Sequence, residues 1–152
     1  MNPQASATQR AGLVNIALLA LAVLAGAAGA QARGKTLVWK PVTQVLLKEN
    51  DRPVKNWNVY RPDKDQDLVL VQLERDWFIF NLKQKRVYWA ERSEFQTRGD
   101  ALAGPVPGGH ARIVKIENWD SHDVGPAQQI SVRFTATGDV LAIELPHPLA
   151  IY

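Results

Sequence analysis

The chain has 152 residues and no cysteine, so disulfide bonds, thiolate catalysis and cysteine metal ligands are excluded. Its formal net charge is +3, which is too close to balance to indicate a polyanionic partner such as a nucleic acid. This length predicts a single domain that core burial alone must stabilise.

The N-terminal residues 1–32 have the pattern of a secretory signal peptide. Arg10 supplies positive charge, Leu13–Leu24 is apolar, and small residues follow from Ala25 to Ala30. Cleavage fits after Ala30 or after Ala32, and we expect the second. An uncleaved anchor over Ala11–Ala30 is the alternative, because about twenty residues can span a bilayer. That segment lacks a basic stop-transfer flank, so we expect a cleaved signal helix, no stable membrane anchor afterwards, and a periplasmic or secreted bacterial product.

The first part of the predicted domain, residues 33–152, alternates short apolar segments with turns. Gly34–Lys40 is a strand or a mobile arm, and Val42–Glu49 is a strand or a short helix, with Val and Thr favouring the strand. Asn50–Pro53 has the composition of a turn. Val54–Arg61 alternates as a strand does, and residues 62–67 form a solvated loop.

The longest apolar segment, Asp67–Arg92, predicts three strands joined by two tight turns. In the first hairpin Val71 faces Phe78. In the second, Leu82 faces Val87. Because side chains alternate along a strand, one face then collects only apolar residues. They are Val69, Val71, Leu73, Phe78, Phe80, Leu82, Val87 and Trp89.

The opposite face of these strands mixes apolar residues with amides and a phenol. It carries Leu68, Leu70, Gln72, Trp77, Ile79, Asn81, Tyr88 and Ala90. Such a face is either covered by other strands or a loop, or serves as a ligand-binding surface. The candidate binding residues in the second case are Gln72, Trp77, Asn81 and Tyr88.

The remainder predicts two loops and two strand regions. Ser93–Gly109 is a long Gly/Pro-rich loop with one helical turn near its start. His110–Trp119 is a strand, and Asp120–Gln128 is a second loop. Ile130–Ala136 and Val140–Leu145 form a hairpin with one apolar face. That face carries Ile130, Val132, Phe134, Leu141, Ile143 and Leu145. The whole predicts an all-β, antiparallel, meander-based sandwich or small barrel of about seven or eight strands.

One polar cluster has acid–base or metal character, namely Asp120, His122 and Asp123. A neutral imidazole with carboxylates can bind a divalent ion, but the spacing matches no recognised metal motif. A polar turn whose aspartates cap local backbone amides is therefore the preferred interpretation. No nucleophile elbow is present. The sequence therefore predicts no catalytic residue and no cofactor.

The functional expectation is a non-enzymatic domain that binds a small molecule or a protein through the mixed sheet face or the 93–109 loop. One alternative is a small hydrolase or metal-dependent enzyme using His122 with Asp120 or Asp123. Another is a purely structural envelope protein. The basic tip Lys83–Arg86 is interpreted as a solvated hairpin end and not as a nucleic-acid site.

Overall fold

The computed structural model describes residues 35–107 and 111–147, all of which belong to one compact unit. The predicted signal segment, residues 1–32, and His110 lie outside the described residues. Among those described, no helix is long and apolar enough to cross a membrane. They contain thirteen strands: β1 Thr36–Pro41, β2 Leu46–Glu49, β3 Arg52–Pro53, β4 Asn58–Pro62, β5 Leu68–Gln72, β6 Trp77–Asn81, β7 Arg86–Ala90, β8 Gln96–Arg98, β9 Ala101–Pro105, β10 Ile113–Val114, β11 Ile116–Val124, β12 Ala127–Phe134 and β13 Val140–Pro146.

The strands form two antiparallel sheets. Eight follow the order β10-β7-β6-β5-β4-β1-β9-β8, and five follow the order β11-β12-β13-β2-β3. The all-β, antiparallel prediction is confirmed. Both sheets have free edge strands in the described part of the chain, so neither closes into a barrel. The predicted strand number was too low, because the shortest strands carry too few residues to show alternation.

The two sheets share one hydrophobic core. It joins the apolar face of β5–β7 to the apolar faces of β12, β13 and β2. The ring centroids of Phe78 and Phe134 lie 5.1 Å apart across the sheets, and those of Phe80 and Trp119 lie 6.0 Å apart. The buried members are Val45, Leu47, Val59, Val69, Val71, Phe78, Phe80, Val87, Val114, Ile130, Val132, Phe134, Leu141, Ile143 and Leu145.

The register of the central hairpins is right in one case and wrong in the other. Val71 pairs with Phe78, as predicted. In the second hairpin Phe80 pairs with Val87, whereas the sequence predicted that Leu82 faces Val87. The error is two residues, and an even slip leaves each side chain on its own face. The predicted assignment of side chains to the two faces is therefore correct, although the predicted length of the second turn is wrong.

The second face of the eight-stranded sheet carries its own core. Buried residues from β5–β7 cluster with Leu37 and Trp39 of β1 and Leu102 of β9. Phe95, which follows a 3-10 turn at Arg92–Glu94, adds a ring 6.2 Å from Trp39 and 5.7 Å from Trp77. Strands β1 and β9 and the loop residue Phe95 therefore cover this face, which is the first of the two alternatives given for it above.

Both predicted loops are wrong, because each contains a hairpin. In the first, β8 and β9 pair, with Ala101 opposite Arg98. In the second, Asp120–Gln128 continues β11 into β12 through a turn at Gly125-Pro126. The first was concealed because β8 is exposed and the buried β9 consists mainly of alanine, glycine and proline, which are uncommon in strands. The second was concealed because most of β11 is exposed, and an exposed strand lacks apolar alternation.

Candidate functional site

An apolar pocket opens where β13 begins, between the two sheets. Its volume is about 350 Å³, within the range of small-molecule sites. The apolar lining comes from the hairpin before β6, the end of β7, β10 and the end of β12. It consists of Leu73, Phe78, Trp89, Ile113, Val114, Phe134 and Ala136.

Aromatic rings form the wall of this pocket. Phe78 lies between Trp89, at a centroid distance of 5.0 Å, and Phe134, at 5.1 Å. Phe78 and Phe134 are buried and Trp89 is half-buried, so the rings are fixed by the core while their edges reach the pocket. Ile113 is 54% exposed at the mouth. A flat apolar molecule finds matching surface here without repacking the core.

The rim of the apolar pocket is acidic. Glu49, Asp76 and Asp139 contribute carboxylates, and Lys115 contributes the only cationic side chain of the lining. The electrostatic potential of such a rim favours a neutral or cationic ligand over an anionic one. The described lining residues include two threonine hydroxyls and three carboxylates but no histidine, so they do not form a nucleophile activated by histidine.

Asp139 is held in place by a clasp between two turns. Asn50 Nδ2 donates to Asp139 Oδ1 at 3.0 Å, and Asn50 Oδ1 accepts from the Val140 N–H at 2.9 Å. Hydrogen bonds from Asn50 and then Thr137 lower the pKa of Asp139. The clasp joins the β2–β3 turn to the β12–β13 turn and keeps one edge of the pocket mouth rigid.

A second, polar cleft of about 260 Å³ adjoins the apolar pocket and shares Asp76 and Trp89 with it. We call it the arginine cleft, because Arg75, Arg92 and Arg112 line it. The guanidinium of Arg92 lies 5.3 Å from the Trp77 ring centroid, and that of Arg112 lies 5.5 Å from that of Trp89. These cation–π contacts hold two of the arginines against aromatic faces.

The four predicted sheet-face residues have different environments. Trp77 is half-buried and lines the arginine cleft. Tyr88 is buried, and its hydroxyl bonds to Gln84 Oε1 at 3.2 Å. Asn81 Oδ1 accepts from the Gln84 N–H at 2.9 Å, which braces the β6–β7 turn. Gln72 is half-buried and pairs with Trp77 across β5 and β6.

The candidate metal residues all lie on β11 and are exposed. Alternation places Asp120 and His122 on one face of the strand and Asp123 on the other. Asp123 instead contacts His147 at 3.1 Å. No group of three metal-ligating side chains occurs within residues 35–107 and 111–147. In the same part of the chain the His122 side chain makes no hydrogen bond or ion pair with a carboxylate.

Sequence reasoning assigned the pocket residues to the core and did not predict the pocket. Phe78, Trp89 and Phe134 were each placed on an apolar face, correctly. Nothing in the sequence indicates that two such faces stop short of each other at one end. The polar turns Glu74–Asp76 and Thr135–Asp139 flank these faces in the sequence, but polar turns end most hairpins and do not by themselves mark a pocket.

Comparison with known proteins gave no match, neither among family models nor among curated proteins nor among solved structures. The functional argument therefore rests on the geometry of the described residues.

Proposed function

We propose that this chain is an exported, non-enzymatic binding domain that takes a small, largely apolar molecule into the apolar pocket. The observation that carries the proposal is an open pocket of about 350 Å³ walled by the Trp89, Phe78 and Phe134 rings. Sites of this kind bind by burial of apolar surface, with a few polar groups setting orientation. Export follows from the leader pattern of residues 1–32.

The acidic rim selects the charge of the ligand. Three carboxylates and one ammonium group surround the mouth, so an anionic substituent would meet repulsion there. A neutral aromatic or an aromatic with a cationic tail fits both the walls and the rim. A flat hydrophobic amine is the chemistry that the pocket supports best.

The test compares two fluorescent probes that share one aromatic skeleton. Phenylnaphthylamine is neutral, and anilinonaphthalene sulfonate carries one negative charge. We expect the neutral probe to bind about two- to thirtyfold more tightly, since the lining carries a net of two negative charges and each screened charge contact contributes roughly 0.2–1 kcal/mol. Glu49→Gln should reduce the difference in affinity between the two probes, because it should raise the affinity of the sulfonate alone.

A variant that fills the apolar pocket tests whether the probe binds there. Ala136 is exposed at the pocket lining, so Ala136→Trp should fill the mouth and weaken binding of the neutral probe by tenfold or more. Ser121→Trp is the matched control, because Ser121 is exposed on β11 outside that lining. Equal affinity of both variants for the probe would contradict the proposal, as would a preference for the sulfonate.

The hydrolase and metal alternatives rest on His122, Asp120 and Asp123. The exposed positions of these residues on one strand offer no enclosed surface for a substrate. No observation among the described residues favours either alternative over binding.

A further inference from the structure

A buried cation lies near the end of β13, whereas the apolar pocket lies where that strand begins. Arg61 of β4 is 6% exposed and is the one buried charged side chain among residues 35–107 and 111–147. It spans the two sheets, because its Nη1 donates to the Pro146 carbonyl of β13 at 3.3 Å. Its Nη2 donates to the Gln66 carbonyl.

These two carbonyls leave the guanidinium incompletely satisfied. A guanidinium offers five N–H donors, and here the Nε–H is buried without any hydrogen-bond partner. A backbone carbonyl contributes a partial charge only. Burial of a cation without a counter-ion is strongly unfavourable, so such a group is normally paired.

Among the described residues, the nearby carboxylates form no ion pair with Arg61. Asp63 pairs with Lys40 at 3.0 Å, and Asp123 pairs with His147 at 3.1 Å. Asp67 attracts Arg61 electrostatically, yet burial is the larger influence and lowers the Arg61 pKa. Within the described residues no carboxylate comes within salt-bridge distance of Arg61.

A cavity is available beside this cation. Its volume is about 250 Å³, enough for a small anion, and it is lined by Arg61 together with four residues that can donate hydrogen bonds. Those four are Lys40, Thr43, Gln66 and His147. The rest of the lining is Pro41, Val42, Asp63 and Pro146.

We infer that this cavity is an oxyanion site, in which a phosphate or carboxylate group pairs with the remaining Nη–H donors of Arg61 and balances its charge. Guanidinium matches both groups through parallel N–H···O contacts. Thr43 at the opening would donate to an outer oxygen. The site is separate from the apolar pocket, so it neither requires nor explains the proposed function.

The direct test follows the Arg61 Nε–H resonance by nitrogen-15 correlation spectroscopy. Inorganic phosphate and acetate are titrated separately against chloride at constant ionic strength. We expect a saturable shift of this resonance, and a rise of a few degrees in Tm, with the anion that fits. The comparison of the two titrations identifies whether phosphate or carboxylate is bound.

Two variants at Thr43 keep the test independent of folding defects at Arg61. Thr43 is exposed on the cavity wall, so Thr43→Glu supplies an internal carboxylate, and Thr43→Gln supplies the same shape without charge. Thr43→Glu should raise Tm and abolish the anion response, and Thr43→Gln should keep that response. No shift with either anion, or identical behaviour of the two variants, would overturn the inference.

Discussion

Gly104 is the position at which a single methyl group should be most disruptive. A Cβ built there would fall on the ring of Phe95, 2.8 Å from Cγ and closer to two other ring carbons, whereas real Cβ contacts stay above 3.0 Å. Its φ lies outside the left-handed region, so the backbone itself accepts alanine. The requirement for glycine comes entirely from the ring.

The magnitude follows from what the ring would lose. Phe95 must move away, and its edge contacts with Trp39 and Trp77, at 6.2 and 5.7 Å, must change. Overpacking costs about 1–3 kcal/mol, and each aromatic pair contributes about 0.5–1.5 kcal/mol. We expect Gly104→Ala to lower the free energy of unfolding by about 2–3 kcal/mol.

The assay is urea unfolding of a double-mutant cycle, followed by tryptophan fluorescence. In a Phe95→Ala background the obstacle is gone, so Gly104→Ala should cost less than about 0.5 kcal/mol. The coupling energy is then about 2 kcal/mol. If Gly104→Ala cost the same in both backgrounds, the clash would not be with Phe95, and the argument that this ring covers the second sheet face would fail.

Three further predictions concern turns and backbone geometry. Lys85 has φ 57° in the β6–β7 turn, so Lys85→Gly should stabilise the protein by about 1 kcal/mol in urea unfolding, while Lys83→Gly in the same turn should not. Folding lowers the pKa of Asp139 from its ordinary value of 3.8. The contribution of the Asp139 carboxylate to the free energy of unfolding is therefore complete above that pKa and is lost as the pH falls through the lower pKa of the folded state. The difference in unfolding free energy between the wild type and Asp139→Asn should therefore shrink below about pH 4. Asn118 has φ 58° at a β-bulge, so Asn118→Val should lower Tm by several degrees, and Asn118→Gly should leave it near that of the wild type.

The alternation of side chains along the strands was enough to predict the apolar faces of the domain. The predicted inward residues of the final hairpin, such as Ile130 and Ile143, are each 1% exposed. Val69 and Phe80 pair as predicted. These assignments succeed because side-chain direction in a strand depends only on position along that strand.

The local sequence pattern did not predict the course of strands that are exposed or irregular. The bulge between Glu117 and Trp119 moves Trp119 opposite Val132, where it packs against the shared core. In a regular ladder Asn118 would occupy that position. One extra residue thus decides which side chain meets the partner sheet, and composition does not reveal it.

The sequence alone determined the class of fold, because period-two burial and turn residues are local properties of the chain. Only the tertiary structure decided where the two sheets separate, and hence where Trp89 and Phe134 leave a pocket. It also decided that Arg61 is enclosed with no described carboxylate within ion-pair distance. Both features depend on distances between residues far apart in the chain. Such distances are set by the packing of whole sheets, to which every strand contributes.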